Sequence, residues 1–229
     1  MRPVIILVPP SENKRAGGSE SWDPFSGRFG ATLGAARSEL AELLAVTDPS
    51  KLRVADTLAQ HARAVNASAM GGACLPARER YDGVVYRALD YGSLDAAAKE
   101  RARDQIVVVS GLAGLVGYDD PLPDYRAPFD GRFEDGVAVW RFWRDALCDV
   151  LGADDEVIID LLTASHRRAI GDVSGRQLRV DLHGPKGERG GHGAKFAKGV
   201  LIRQLVTHGM EALWDFEHQG WRACGALIA

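Results

Sequence analysis

The chain has 229 residues, 46% of them hydrophobic, with a formal net charge of −3 at pH 7. That composition supplies a real core and excludes an intrinsically disordered protein. No apolar run approaches the roughly 20 residues of a membrane helix, and the start carries one Arg2 and a five-residue apolar run rather than a secretory signal, so a cytoplasmic protein with no membrane partner is expected.

In chain order, Val4 to Val8 reads as a buried strand. Pro9-Pro10 ends it, because proline cannot continue a central ladder, and delivers Ser11, Glu12 and Lys14 into a loop at the strand's carboxyl end. The Gly/Ser-rich stretch 16–30 is a long loop. Leu33, Ala36, Leu40, Leu43 and Leu44 then form the inner stripe of a helix over 31–46. Asp48-Pro49 reads as an N-cap and first helical position, opening a helix with Leu52, Ala55, Leu58, Ala59, Ala62 and Val65 inward. Residues 84–90 are open between strand and helix. Ser93 caps a helix to about Arg103, and Gln105 to Ser110 is a buried strand. A helix spans 138–151 with Gly152 as its C′ residue. Strands follow at 156–162 and, half-buried, at Gln177 to Leu182. A helix over 194–208 closes at Gly209, and 221–228 reads as an edge strand. The elements mix without strict alternation. The expected fold is α/β (mixed α+β), a single domain over 1–229 with a mixed central sheet flanked by helices.

Charge is unevenly spread. Residues 119–135 carry six acids against Arg126 and Arg132, whereas 163–208 carry nine Lys/Arg against three acids, and four of the six histidines. Such a segment either holds an anion or forms a solvated face. Cys74, Cys148 and Cys224 form no CxxC pair and read as small hydrophobes.

Two further loops carry chemistry. After the strand ending at Ser110, Gly111, Gly114 and Gly117 suggest exposed backbone amides, either a structural turn or a phosphate-holding helix-hairpin-helix turn. Asp120 and Arg126 close that loop, Arg126 suited to forking onto a carboxylate or phosphate. Glycines 190 and 191 precede a helix start bearing His192, Lys195 and Lys198, with Arg203 a turn later, an anion cradle or an amphipathic surface helix. Asp119-Asp120 lacks EF-hand spacing and an aligned histidine, so no metal is expected. No pattern for heme, flavin or iron ligation is visible and no cofactor is expected. His166 and His183 have no nucleophile spacing, and no GxSxG, HExxH or kinase set occurs.

In their order, Pro9-Pro10-Ser11-Glu12-Asn13-Lys14, Gly83-Val84-Val85-Tyr86, Ser110-Gly111-Leu112 with Gly114 and Asp120, Tyr125-Arg126, Phe142-Trp143, and Lys195 to Gly199 with Arg203 resemble the YaaA family of peroxide-stress proteins. The chain departs from that pattern at Val84, at Gly117-Tyr118-Asp119 and at Ala127-Pro128-Phe129. The resemblance implies a single-domain mixed α/β fold with a helix-hairpin-helix-like element, a positively charged cleft, double-stranded DNA binding, and protection from peroxide by limiting free iron.

Two functions are compatible with these residues, and whether the chain is an enzyme stays open between them. In the leading one, Lys195, Lys198 and Arg203, with Arg176 or Arg179, neutralise duplex phosphates and the Gly111–Gly117 turn holds backbone. The alternative is an enzyme for a small polar or anionic substrate such as a nucleobase, nucleotide or amino acid, with peroxide as an optional co-substrate. There Lys14, Tyr86 and Lys195 are the candidate catalytic residues, a lysine acting as base. Ser11, Ser110, Gly111, Gly114, Asp120, Arg126, His192, Lys198 and Arg203 are the candidate substrate- or phosphate-binding residues.

Overall fold

A computed structural model describes residues 4–153, 155–173 and 176–228. The first strand, β1 (Val4–Val8), is followed by the two-residue β2 (Glu20–Ser21) and helices α1 (Gly30–Val46) and α2 (Asp56–Ala67). Next come β3 (Ala73–Pro76), α3 (Ala77–Arg80), α4 (Val84–Leu89) and α5 (Ala96–Gln105). The hairpin β4 (Ile106–Ser110) and β5 (Gly114–Gly117) leads through β6 (Pro121–Leu122) to α6 (Val139–Ala153). The chain ends with β7 (Val157–Asp160), α7 (Ala164–Ile170), β8 (Gln177–His183), α8 (Gly191–His208), β9 (Glu217–His218) and β10 (Trp221–Leu227). No helix among the described residues is long and apolar enough to cross a membrane.

Seven strands form one mixed sheet in the order β5-β4-β1-β7-β8-β10-β9, and β2-β3-β6 form a small second sheet, so the mixed α/β reading holds. Val, Ile and Leu fill β1 because it lies between β4 and β7 and needs apolar contact on both faces. Its register is fixed by Ile6 opposite Ile106 on one side and Ile5 opposite Ile158 on the other, both pairings parallel. The carboxyl ends of β4, β1 and β7 therefore share one edge of the sheet. Trp143 and Leu147 of α6 and Leu201 and Leu205 of α8 complete a continuous core. Helix α8 approaches α4 closely: a Cβ on Gly199 would fall 2.3 Å from the Val85 carbonyl oxygen, so only glycine fits there.

Several local expectations are corrected. Residues Gly111–Gly117 are not a helix-hairpin-helix turn. They form the tight turn and second strand of the β4–β5 hairpin, and β5 is wholly buried. A Cβ on Gly111 would sit 1.9 Å from the Ala127 carbonyl oxygen, and Gly114 has φ +68° against the Trp143 ring. These glycines serve packing rather than exposed amides. The second helix starts at Asp56 and not at Asp48-Pro49. The Asp48 carboxylate instead accepts from the Ser50 N–H at 2.9 Å, an Asx turn, and Arg53 at φ +56° breaks any helix through 49–53. Asp95 rather than Ser93 caps α5, its carboxylate accepting from Ala98 N at 2.7 Å. Residues 84–89 are helical and stop at Asp90, φ +48°. Gly152 lies inside α6. Strand β10 is an edge only beyond its first two residues, because β9 pairs with Trp221 and Arg222.

Candidate functional site

Beyond Pro10 the chain leaves the sheet edge and bridges to Tyr81 at Lys14. The Lys14 Nζ donates to the Ser11 carbonyl at 3.1 Å and sits 4.2 Å from the centroid of the Tyr125 ring and 5.7 Å from that of Tyr81. Aromatic faces favour an ammonium. Two stronger effects oppose it. Burial removes its water, and the Arg126 guanidinium repels it, so the pKa falls to about 7 even though Asp124 and Glu12 pull the other way. Near neutral pH the ammonium and the free amine coexist, the poise a general base needs.

A chain of buried hydroxyls fixes the rings beneath this amine. Tyr81 and Tyr125 share a hydrogen bond of 2.7 Å between their hydroxyls, and Tyr125 and Ser110 one of 2.9 Å. Ser110 Oγ also accepts from the Ala113 N–H at 3.1 Å, tying the chain to the β4–β5 turn. Tyr86 stacks on Tyr81 at 5.3 Å and donates to the Pro9 carbonyl at 2.9 Å. Burial raises the pKa of all three tyrosines, so each is a neutral phenol. Ser11 packs on Gly83, where a Cβ would lie 2.3 Å from the serine Oγ. Asn66 clamps the backbone of Arg126 with two bonds of 2.8 and 2.9 Å, while Arg126 Nη1 donates to Asp124 at 2.8 Å. The other Asp124 oxygen lies 3.3 Å from His61 Nε2.

One strand over, a second lysine is held at the same edge. Lys198 Nζ donates to the Leu161 carbonyl, and Leu161 N–H donates to Leu7 O at 3.1 Å. Burial, then repulsion by Arg167, lowers the Lys198 pKa to about 8, against the pull of Asp160 and Asp181. Arg167 bonds the fully buried Asp160 at 2.8 Å and Asp181 at 2.9 Å. His166 Nδ1 lies 2.5 Å from Thr163 Oγ1, and its ring meets Phe129 edge-on at 5.0 Å. Burial first, and Lys198 second, depress the His166 pKa to about 4. The folded protein therefore resists protonation that the unfolded chain accepts below 6.5. Stability is expected to fall as pH drops from about 6.5 towards 4, and His166→Asn to remove about 1–3 kcal/mol of that loss, read by urea unfolding at pH 7 and pH 4.5.

A family model described as "Peroxide stress protein YaaA" matches residues 4–226. The chain belongs to the YaaA family of peroxide stress proteins. A UPF0246 protein of Streptomyces coelicolor is 36% identical over 223 residues, covering 90% of this chain and 84% of the relative. A UPF0246 protein of Corynebacterium efficiens is 31% identical over 220 residues, covering 91% and 87%. The segments that carried the YaaA resemblance are distant in sequence, yet Lys14, Ser11, Gly83, Tyr86, Ser110 and Tyr125-Arg126 pack into one cluster at the carboxyl edge.

Other candidates lie elsewhere or have structural duties. Asp120 has a structural duty: its carboxylate accepts from Gly117 N–H at 2.8 Å and from Arg28 N–H at 3.0 and 3.1 Å, and it packs beside Gly27 and Gly117. Arg203 donates to the Leu89 and Asp90 carbonyls at 3.0 and 2.9 Å and closes the carboxyl end of α4. Tyr86 positions the Pro9 loop through its hydroxyl. Lys195 and His192 stand exposed on the first turns of α8, away from any hydrogen bond or ion pair among the described residues. Sequence reasoning missed Tyr81, Asp124, His61 and Asn66. A tyrosine five residues before Tyr86 was the one available signal; the rest depend on tertiary packing.

Proposed function

We propose that this YaaA-family chain is an enzyme that removes a proton from a small polar substrate bound at the carboxyl edge, with the Lys14 amine as general base. The observation that carries this reading is the enclosure of Lys14 Nζ between the Tyr125 ring at 4.2 Å and the Ser11 carbonyl at 3.1 Å, beside Arg126. Arg126 Nη2 and Nε make no bond among the described residues, which leaves a pair of donors for an anionic group of the substrate. The hydroxyls of Ser110, Tyr125 and Tyr81 hold the aromatic floor rigid, as a positioned base requires. Placement outside the carboxyl ends of parallel strands is the usual location of ligands in such sheets.

The duplex-binding reading asks for a row of free cations. Arg203 is bonded to two carbonyls, Arg176 to the carbonyls of Glu156, Leu151 and Gly152, and Arg179 to Asp172. Of the cations assigned to DNA, these three are tied down by the protein itself, which leaves Lys195 and the spare donors of Lys198 rather than a row and favours the enzyme reading.

The test pairs two assays. Wild type and Lys14→Met are incubated with small-molecule extract from peroxide-treated bacteria, and compounds consumed by wild type alone are identified by mass spectrometry. Fluorescence anisotropy with a mixed-sequence duplex is run across a salt series. Depletion of an anionic metabolite by wild type alone, with weak duplex binding, supports the proposal. Tight duplex binding that falls by orders of magnitude with salt, and no metabolite consumed, overturns it.

A further inference from the structure

A cavity of about 260 Å³ opens beside the second lysine, lined by Lys198, Arg167, Arg189, Asp181, Thr163 and apolar side chains including Leu162. Its charges are not balanced. Arg167 pairs with both nearby acids, Asp160 and Asp181. Lys198 uses one N–H on the Leu161 carbonyl and has two to give. Arg189, in the loop before α8, makes no hydrogen bond or ion pair among the described residues. Two cations with unused donors thus face one cavity without a carboxylate of their own. We propose that this cavity binds a small oxyanion, the carboxylate or phosphate group of a low-molecular-weight compound, between Lys198 and Arg189.

The volume limits the occupant. Sites for drug-sized ligands run to roughly 300–1,000 Å³, so this one takes an anionic group with a few atoms attached, not a nucleotide. Its apolar walls, Leu162, Val180, Leu182 and Ala194, strengthen any charge-assisted bond formed inside. An anion there also relieves the repulsion between Lys198 and Arg167. None of the residues around Lys14 lines the cavity, so the inference stands independently of the general-base reading.

Isothermal titration of the full chain with inorganic phosphate, and separately with malonate, at constant ionic strength tests it and tells the two oxyanions apart. Saturable one-to-one binding with Kd of about 0.1–1 mM is expected for at least one of them. Lys198→Met and Arg189→Gln should each weaken it about tenfold or more, and Lys14→Met by less than about twofold. Arg189→Gln removes no internal contact, so its result is free of any folding defect. Absence of saturable heat with both anions overturns the proposal, as does unchanged binding by Arg189→Gln, or binding lost in Lys14→Met.

Discussion

Arg80→Met is expected to lower the free energy of unfolding by about 3–5 kcal/mol. Arg80 is fully buried, and its guanidinium serves four carbonyls: Leu122 at 3.0 Å, Gly17 at 2.9 Å, Ala73 at 2.8 Å, and Arg15. These lie on the loop after Lys14, on β3 and on β6. Methionine fills much of the volume but removes the shared donor of four carbonyls, three of them only part-buried and within reach of water, so the loss stays near that of one or two buried orphans at about 1–3 kcal/mol each. Arg80→Lys retains the charge but lacks the planar fork and recovers a minor part. The consequence reaches the site. Residues 15–17 anchor the segment that holds Lys14 against Tyr81, so the surviving folded fraction should expose Lys14 to water and raise its pKa from about 7 back towards 10.5. Urea unfolding measures the first effect; titration of Lys14 measures the second.

Lys14→Met is expected to act in opposite directions on activity and stability. Loss of the base should reduce turnover of the natural substrate by about 10²–10⁴-fold. Stability should rise. The folded-state pKa of about 7 lies below the ordinary 10.5, so between those values the unfolded chain holds a proton that the folded chain has released. Raising the pH across that window therefore favours the folded wild type. The cost of the buried ammonium is fully present below about pH 7 and fades towards 10.5. Each pH unit separating the folded from the unfolded pKa is worth about 1.36 kcal/mol; with relaxation around the side chain, a gain of about 1–3 kcal/mol is expected for Lys14→Met at pH 6. That advantage should vanish near pH 10.5. A purely structural lysine would show the reverse: lower stability on substitution at every pH.

How much of this was legible in sequence depends on the range of the forces involved. Strands β1 and β4 were plain because a strand buried on both faces must be continuously apolar, as Val4–Val8 and Ile106–Ser110 nearly are. The α8 boundary was set by Gly209 as a C-terminal stop. Asp48-Pro49 misled because one carboxylate can cap a helix or an Asx turn, and the left-handed Arg53 decides between them only in three dimensions. The glycines after Ser110 misled for a related reason. Glycine marks close approach, and here the approaching groups are Ala127 and Trp143 of the protein itself, not a phosphate. Of the residues in the candidate cluster, Lys14 was singled out because it follows the proline stop of β1, and Ser110 and Arg126 because they bracket the glycine-rich stretch after β4. Tyr81, Asp124 and Asn66 were not, since their roles rest on contacts with partners 44 to 60 residues away or on a neighbour's charge.

The general-base assignment is tested most directly by the Lys14 titration itself. The ε-methylene resonance, followed by NMR in protein labelled with ¹³C-lysine and assigned by its absence from Lys14→Met, should titrate with a midpoint near 7. A midpoint near 10.5, the ordinary lysine value, would mean a solvated ammonium and contradict that assignment.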